Sequence, residues 1–580
     1  MSKFFITNNS EFFHKVKKRG ENSPYSIAFE YEGNGIYAIS SKKLTIDNQN
    51  GIQCENGFII VTGTMAWGAG SAINMQTLQK IHQSFHCDIN NIRQHSIGNF
   101  AVSIMKEGVL YVFGEIAGFY NIYFYNTGHN WLISNSLYDM AAVLNDKLTL
   151  NKLALIESTV QDGILLGDTY YNEIHRLSGF NYLKIKEGEL ELIEEEKMYP
   201  MAKGTLDEKV EKYKNLSKLY GGKMASAYGR PCISMTGGLD ARMVLSSYMA
   251  AGVKPELYYG TGNSFITNTY HEDKEIDKVF SQKFGLIFHD ESWETPEPID
   301  KYWEKYLDLY GFFYETYACS DKIFESIKKT PCQLFTFGYC GELLRSLPWI
   351  EASKKDFFTL EEYLNDFYLP NNVMCEIIPI DEYRKYIRTK YLKICKLYHL
   401  DINHIANEDI FYLSLERRKS ADAVMLNLVN FMKYCSYSLG QYEHLCAGRI
   451  TCEEAENSSF MLHCLDALYP SVLEVPVFSH CTFRKFNRET MSLSPQNRTL
   501  LWRELIKFMK KNIPWLFDFI KRIIRNGGSW KSQGTEEDKY ILSLYGKYDE
   551  YGVFNSDKFD DKRRLVSCVM KMYALASLNK

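Results

Sequence analysis

A strand-to-helix stretch with two adjacent glycines decides the fold of this 580-residue chain: Ser234-Met235-Thr236-Gly237-Gly238-Leu239-Asp240-Ala241-Arg242. Two glycines in a row let the backbone approach a phosphate closely, and the helix that follows offers unpaired N–H groups to an anion. The stretch therefore predicts a cradle for the pyrophosphate of a nucleotide. The alternative is a plain strand-to-helix turn in which Asp240 caps the helix.

The segments around this loop have the alternating pattern of an α/β domain. We predict strands at residues 232–235, 256–260 and 286–289, and helices at residues 242–251 and 273–284. Strands that alternate with helices are typical of a parallel sheet with right-handed crossovers. The loop should then lie inside a β-α-β unit, which favours the phosphate site over the plain turn.

The pattern differs on both sides of this domain. Residues 26–193 contain short segments rich in β-branched and aromatic residues, separated by Gly and Asn, which predicts stacked antiparallel sheets with one helix near residues 75–85. A helix is predicted at residues 206–227, and beyond residue 351 the pattern is almost wholly helical. The expected domains are residues 1–200, 201–350 and 351–580.

Composition excludes several classes of protein. The chain is 45% hydrophobic and 24% charged, which is typical of a folded globular protein. Its 67 basic and 71 acidic residues give a net charge of -4, so a nucleic-acid partner is not expected. The sequence has neither a long apolar run nor a signal-peptide pattern at its start, so we expect a cytoplasmic protein without a membrane span. Its 14 cysteines lack the paired spacing of a zinc site.

The glycine loop also resembles a known family. Thr236-Gly237-Gly238-Leu239-Asp240-Ala241 is similar to the SGGLDS pyrophosphate loop of the asparagine synthetase family, whose members adenylate a carboxylate with ATP and transfer the acyl group to an amine. Thr236 keeps the hydroxyl of the first serine. Ala241 removes the hydroxyl of the last one, and with it one hydrogen bond to phosphate.

Two further stretches agree with the family. Residues 258–262 resemble its second strand, whose end receives the adenosine, and residues 334–345 resemble its strand and glycine-rich loop ending in Asp-Glu. In this chain Gly341 stands at the aspartate position, so Glu342 remains for the second metal position. A surface ion pair between Glu342 and Arg345 is the alternative role for that glutamate.

The resemblance implies ATP and Mg²⁺ as cofactors and a set of site residues. The implied metal ligands are Asp240 and Glu342, which are also catalytic candidates, and Lys531 is the candidate for a lysine that stabilises developing charge, with Lys521 next. A solvated basic helix end explains those lysines equally well. The implied nucleotide-binding residues are Ser234, Thr236, Gly237, Gly238, Leu239, Asp240, Gly260, Thr261 and Gly338.

The first domain resembles the glutaminase-like domain of the same family. Gly98-Asn99-Phe100-Ala101 is similar to its Gly-Asp-Phe-Ala turn. Glutamine-hydrolysing members carry a cysteine after the initiator Met, and this chain has Ser2 there. The implied fold class is α/β plus α+β: an Ntn-hydrolase-like sandwich without glutaminase activity, a PP-loop domain related to adenine nucleotide α-hydrolases, and a helical C-terminal extension.

The expected function is that of an ATP-dependent ligase that forms an amide bond without hydrolysing glutamine. Family members without the first-domain nucleophile include β-lactam synthetases and peptide macrolactam cyclases, so small-molecule or peptide carboxylates and amines are the expected substrates. A homodimer is the expected assembly. Asparagine synthesis from free ammonia is one alternative, and a catalytically impaired nucleotide-binding regulatory relative is another. Base thiolation of RNA is disfavoured by the charge and the cysteine spacing.

Overall fold

The computed structural model describes residues 3–21, 25–161, 163–196, 198–260, 268–291, 326–345, 355–365, 378–479 and 482–494. These residues form a mixed α/β fold that combines two large antiparallel sheets and one parallel sheet with three two-stranded antiparallel sheets. Among the described residues, no helix is both long and apolar enough to cross a membrane.

The first 200 residues contain thirteen described strands and five described helices. The strands are β1 (Phe4–Thr7), β2 (Ile27–Gly33), β3 (Ile36–Ser41), β4 (Gly51–Cys54), β5 (Gly57–Trp67), β6 (Ser71–Ala72), β7 (Ser96–Lys106), β8 (Val109–Gly114), β9 (Tyr123–Asn126), β10 (Trp131–Ser134), β11 (Ile174–Arg176), β12 (Asn181–Lys186) and β13 (Glu189–Glu194). The helices are α1 (Ser10–Glu21), α2 (Met75–Ser84), α3 (Ile89–Gln94), α4 (Leu137–Leu144) and α5 (Lys152–Gln161).

The later residues contain the remaining described elements. The strands are β14 (Pro231–Ser234), β15 (Glu256–Tyr259), β16 (Phe288–Asp290), β17 (Leu334–Phe337), β18 (Phe357–Phe358), β19 (Ile405–Ala406), β20 (Tyr434–Ser436), β21 (Val477–Ser479), β22 (Thr482–Arg484), β23 (Phe486–Asn487) and β24 (Ser492–Leu493). The helices are α6 (Leu206–Tyr228), α7 (Leu239–Ala250), α8 (Asn268–Phe284), α9 (Leu360–Tyr363), α10 (Ile380–Leu397), α11 (Ile410–Ala421), α12 (Ala423–Met432), α13 (Tyr442–Ala447), α14 (Cys452–Ala455) and α15 (Ser459–Leu468).

The two antiparallel sheets stack face to face between layers of helices. One has the order β11-β9-β10-β1-β3-β2 and the other the order β13-β12-β8-β7-β5-β4. Side chains on β5 alternate between two cores: Phe58 and Ile60 face the first sheet, whereas Ile59 and Val61 face α2 and α3. The ring centroid of Phe58 lies 4.8 Å from that of Tyr31 on β2. The predicted stacked antiparallel sheets are confirmed.

A buried polar network joins this sandwich to the rest of the chain. The side chain of Asn99 on β7 donates a hydrogen bond to Glu115 (3.0 Å) and accepts hydrogen bonds from the Tyr437 N–H (2.9 Å) and the Ser436 hydroxyl (3.0 Å). A carboxylate at position 99 could accept but not donate, and it would face the buried carboxyl of Glu115. The pKa of Glu115 is raised to about 7 by burial. Asparagine therefore suits this position better than the aspartate of the similar family turn.

The parallel sheet has five strands in the order β16-β15-β14-β17-β20. The chain leaves β14 towards β15 on one side, and later enters β17 on the other side, so the strand order reverses between β14 and β17. In open sheets of this kind the crevice outside the carboxyl ends of the strands at such a switch point is where ligands bind. The loop that decides the fold follows β14 and so lies at this point.

The helix before the sheet shows how local sequence sets its bounds. A capping box between Thr205 and Glu208 begins α6, and Gly229, at a φ of 77°, ends it. The helix was predicted at residues 206–227 and spans Leu206–Tyr228.

In contrast, β20 was not predicted, because its three residues lie in a stretch whose pattern is otherwise helical. The described part beyond residue 351 is therefore not purely helical, and it supplies the fifth strand of the parallel sheet.

The Asn99 network gives a test of the junction between sandwich and parallel sheet. We expect Asn99→Ala to lower the free energy of unfolding by roughly 2–4 kcal/mol, because it removes one donor from Glu115 and takes the Asn99 acceptor away from the buried Tyr437 N–H and Ser436 hydroxyl. Urea denaturation of the full chain measures this. The exposed Asn91 on α3 is the matched control, and Asn91→Ala should change the value by no more than about 0.5 kcal/mol. Equal effects from the two variants would show that the network does not stabilise the junction.

Candidate functional site

The amino end of α7 points out of the switch point without a side-chain cap. Gly238 is the N-cap residue and offers no side-chain oxygen to the first turn. The N–H groups at the start of a helix have no intrahelical acceptors and carry the positive end of the helix dipole. Thr236, two residues earlier, is exposed. The geometry provides donors for an anion beside an accessible hydroxyl.

Gly237 is held more tightly than its neighbours. Its N–H donates a hydrogen bond to Asp273 Oδ1 on α8 at 2.7 Å, and its carbonyl accepts one from the Phe478 N–H at 3.0 Å. A Cβ atom at this position would lie 2.5 Å from Ile276 Cδ1 and 2.6 Å from Phe478 Cβ, so only glycine fits. The N–H of Gly237 is thus occupied, and the donors that remain for a phosphate belong to the residues after it.

Arg242 holds the backbone of the glycine loop in place. Its guanidinium is fully buried and donates hydrogen bonds to the carbonyls of Val472, Val475, Pro476 and Gly237 at 2.6–3.1 Å. It also lies 4.8 Å from the ring centroid of Phe280 on α8. Burial lowers the pKa of Arg242 to about 9, an effect that the nearby Asp277 carboxyl partly offsets. No sequence pattern indicated this role, because Arg242 was expected only as a residue of the helix.

Asp240 lies in the first turn of α7 with one oxygen bound and one free. Arg345 Nη2 lies 3.2 Å from Asp240 Oδ2, whereas Asp240 Oδ1 is buried and has no hydrogen-bond partner among the described residues. Burial raises the pKa of Asp240 to about 6; the positive charge of Arg345 opposes this shift and the negative charge of Glu342 adds to it. A buried carboxylate oxygen without a partner is a suitable ligand atom for a metal ion.

Two glycines, Gly338 and Gly341, allow the loop after β17 to pack closely against the first turn of α7. A Cβ on Gly338 would lie 2.8 Å from the Ala241 nitrogen, and a Cβ on Gly341 would lie 2.4 Å from Asp240 Cγ. Cys340, between them, has a φ of 72°, in the left-handed region. An aspartate at position 341, as in the family motif, would collide with Asp240 in this arrangement.

Glu342 has a different partner from the one that the sequence suggested. It forms an ion pair with Arg418 on α11, which also lies 3.2 Å from Asp422 Oδ1. Arg345 binds Asp240 instead, so the alternative considered for Glu342, an ion pair with Arg345, does not form. The i,i+3 rule applies within a regular α-helix, whereas residues 341–344 form a short 3-10 helix that ends before Arg345.

The other predicted site residues divide into two groups. Ser234 ends β14, and Gly260 directly follows β15 with its Cα packed against the hydroxyl of Tyr258, so both lie at the carboxyl edge of the sheet. Thr261, Lys521, Lys531 and Ser2 lie outside the described residues. Phe478 and Arg418 complete the described surroundings of the loop.

Comparison with known proteins gives no family assignment. No protein-family model matches the chain, and no curated protein matches it. The resemblance to the asparagine synthetase family therefore rests on the sequence motifs alone.

Solved structures that resemble the chain do so weakly. One is the glutamine phosphoribosylpyrophosphate amidotransferase of B. subtilis complexed with ADP and GMP, with 10% identity and a TM-score of 0.23. The match covers 50% of this chain and 65% of that one. Another is described as the allosteric regulatory enzyme of purine biosynthesis, with 12% identity, a TM-score of 0.23, and coverage of 47% of this chain and 70% of that one.

The raised pKa of Asp240 predicts a pH-dependent cost to stability. Because the folded-state pKa of about 6 exceeds the ordinary value of 3.8, ionisation of this carboxyl destabilises the fold as the pH rises through that window. We expect Asp240→Asn to raise the midpoint of thermal unfolding by a few degrees at pH 7.5, and the gain to disappear near pH 4. Calorimetry at both pH values measures this, and a loss of stability at pH 7.5 would contradict it.

The close approach of the two loops gives a second test. We expect Gly341→Ala to cost roughly 1–3 kcal/mol of unfolding free energy, because the added methyl group displaces the Asp240 side chain. Gly222→Ala on α6 is the control: the nearest atom to its added Cβ lies 3.9 Å away, so this variant should be neutral or slightly stabilising. If the chain with Gly341→Ala unfolds at the same urea concentration as the control, the loops do not meet as described.

Proposed function

We propose that this chain is an ATP- and Mg²⁺-dependent ligase that adenylates a carboxylate and transfers the acyl group to an amine, without hydrolysing glutamine. One observation carries the proposal: the uncapped amino end of α7 opens at the switch point of the parallel sheet, with Asp240 in its first turn. In this proposal the sandwich is an Ntn-hydrolase-like scaffold, and the parallel sheet belongs to the PP-loop class.

The residues present fit a nucleotide tail and one metal ligand. The N–H groups of Leu239 and Asp240 would hold the pyrophosphate, and Asp240 Oδ1, which lacks a partner, would bind Mg²⁺. Glu342 is the second carboxylate, and it would first have to release Arg418. Bound Mg²⁺ and ATP supply an electrophilic α-phosphorus for attack by a carboxylate oxygen.

The chain's own residues would act by position and charge. Fixed helix-end donors stabilise a pyrophosphate leaving group without reorganisation, because Arg242 holds the loop backbone in place. Arg345 and Arg418 are partly exposed guanidinium groups beside the two acids, and they could bind the negative charge of substrate or leaving group. A carboxylate and an amine held in line with the loop would react faster because of their proximity alone. Free ammonia as the amine, giving asparagine, is the alternative within this class.

A second function has its own observation. Gly341 removes one acidic ligand, and the two carboxylates that remain are paired with Arg345 and Arg418. Such a site could bind a nucleotide without activating a carboxylate, as a regulatory relative would. Exchange of pyrophosphate into ATP separates the two functions, because only the ligase catalyses it.

We expect the full chain to catalyse exchange of labelled pyrophosphate into ATP when its own carboxylic acid is present in a panel of acids. Asp240→Asn should reduce the exchange rate by at least about 100-fold, since it removes the negative charge of the metal-binding carboxylate while leaving the helix intact. The control is Asp207→Asn, which changes an acid in the first turn of α6 and should leave the rate unchanged.

Two outcomes contradict the proposal in different ways. If the Asp240→Asn variant exchanged pyrophosphate at the parent rate, Asp240 would not be a ligand of the metal. ATP binding by the parent chain without exchange for every acid in the panel would support the regulatory function instead.

A further inference from the structure

The amino-terminal half of the parallel sheet carries a second cluster of chemically active side chains. Cys232 lies on β14, Glu256 begins β15, His289 lies on β16, and Cys332 comes two residues before β17. In the strand register Cys232 pairs with Glu256, and Tyr258 pairs with His289. Because side chains two residues apart on a strand share a face, Cys232, Glu256 and His289 lie on one face of the sheet, and Cys332 precedes β17 beside them.

The cluster is compact. His289 Nε2 lies 2.6 Å from Glu256 Oε2, and the ligand atoms of Glu256, His289 and Cys332 all lie within 4.8 Å of one another. Cys232 lies next to this group, because it pairs with Glu256 in the strand register. Glu256 and both cysteines are buried, whereas His289 is partly exposed and opens the cluster to solvent.

We propose that Cys332, Glu256 and His289, with Cys232 as the fourth ligand, bind a zinc ion. Thiolate, imidazole and carboxylate together form a donor set that zinc prefers, and four such groups from protein side chains are typical of a structural site. The ligands come from adjacent strands of one sheet, so the backbone holds them close together before a metal arrives.

The charges around the cluster agree with a bound cation of this class. Two thiolates and one carboxylate around Zn²⁺ carry a net charge of -1. Lys433 can balance it, because its ammonium group lies beside both cysteines and donates a hydrogen bond to the Cys332 carbonyl at 2.9 Å. Zinc binding would release the thiol protons to solvent.

This site is separate from the proposed nucleotide site. Cys232 and Glu256 lie towards the amino ends of their strands, whereas the glycine loop follows the carboxyl end of β14, about 10 Å further along. The metal would tie the edge strand β16 to β15 and to the start of β17. The proposal does not depend on ligase activity, and its test can fail or succeed independently.

Cobalt titration of the full-length chain, reduced and then freed of metal by a chelator, tests the site. We expect one Co²⁺ per chain with a sulfur-to-cobalt charge-transfer band, displaced by Zn²⁺. Cys332→Ser should weaken the band, because one of the two thiolates is lost, and should lower cobalt affinity by more than the roughly 10- to 100-fold that loss of a second-shell partner costs. Cys464→Ser, which changes a buried cysteine on α15, is the control and should bind cobalt like the parent.

His289→Ala provides a second variant, because a partly exposed side chain can be removed without loss of the fold. It should retain a charge-transfer band while binding cobalt at least about tenfold more weakly. The proposal is overturned if the parent chain binds no cobalt with a charge-transfer band. It is also overturned if Cys332→Ser and His289→Ala both bind cobalt as tightly as the parent.

Discussion

The buried guanidinium of Arg242 is the constraint on which the candidate site depends. Its donors bind carbonyls from two distant parts of the chain, Gly237 in the loop and residues 472–476 in the segment before β21. A buried guanidinium left without these acceptors would be strongly destabilising. The loop therefore takes its shape only when the late segment has docked, and Phe478 then closes over Gly237. The helix end of α7 is left as the open part of the loop.

The switch point brings together charges that balance one another. Asp240 and Glu342 each have an arginine partner, and Arg418 also contacts Asp422, whose pKa burial raises to about 7. Without such partners, carboxyl groups this close and this buried would repel and take up protons. A ligand carrying phosphate and a divalent cation could replace these contacts with equivalent ones. The phosphate would bind the arginines in place of the acids, and the metal would bind the acids in place of the arginines. The same network also suits a protein that binds a nucleotide without activating it.

Much of the fold could be predicted from local patterns, and the exceptions have physical reasons. The enrichment of residues 26–193 in β-branched and aromatic side chains and the helical spacing of apolar residues at 206–227 are local signals, and they predicted the sandwich and the helix correctly. The strand β20 is too short to show a repeating pattern of apolar residues, and it exists because β17 offers it a parallel edge.

In the site, the glycines of the loop and Asp240 could be found from their motif. The partners of Glu342 and Arg345 could not, because they depend on which loops meet across the sheet. The Glu256, His289 and Cys332 cluster gave no sequence signal, since its members are far apart in the chain.

The central claim is that the amino end of α7 binds the phosphates of a nucleotide. A crystal structure of the full chain with Mg²⁺ and a non-hydrolysable ATP analogue tests it directly. The account predicts phosphate oxygens within hydrogen-bonding distance of the N–H groups of Leu239 and Asp240, with Mg²⁺ on Asp240 Oδ1. Phosphates bound elsewhere in the molecule, with α7 untouched, would contradict it.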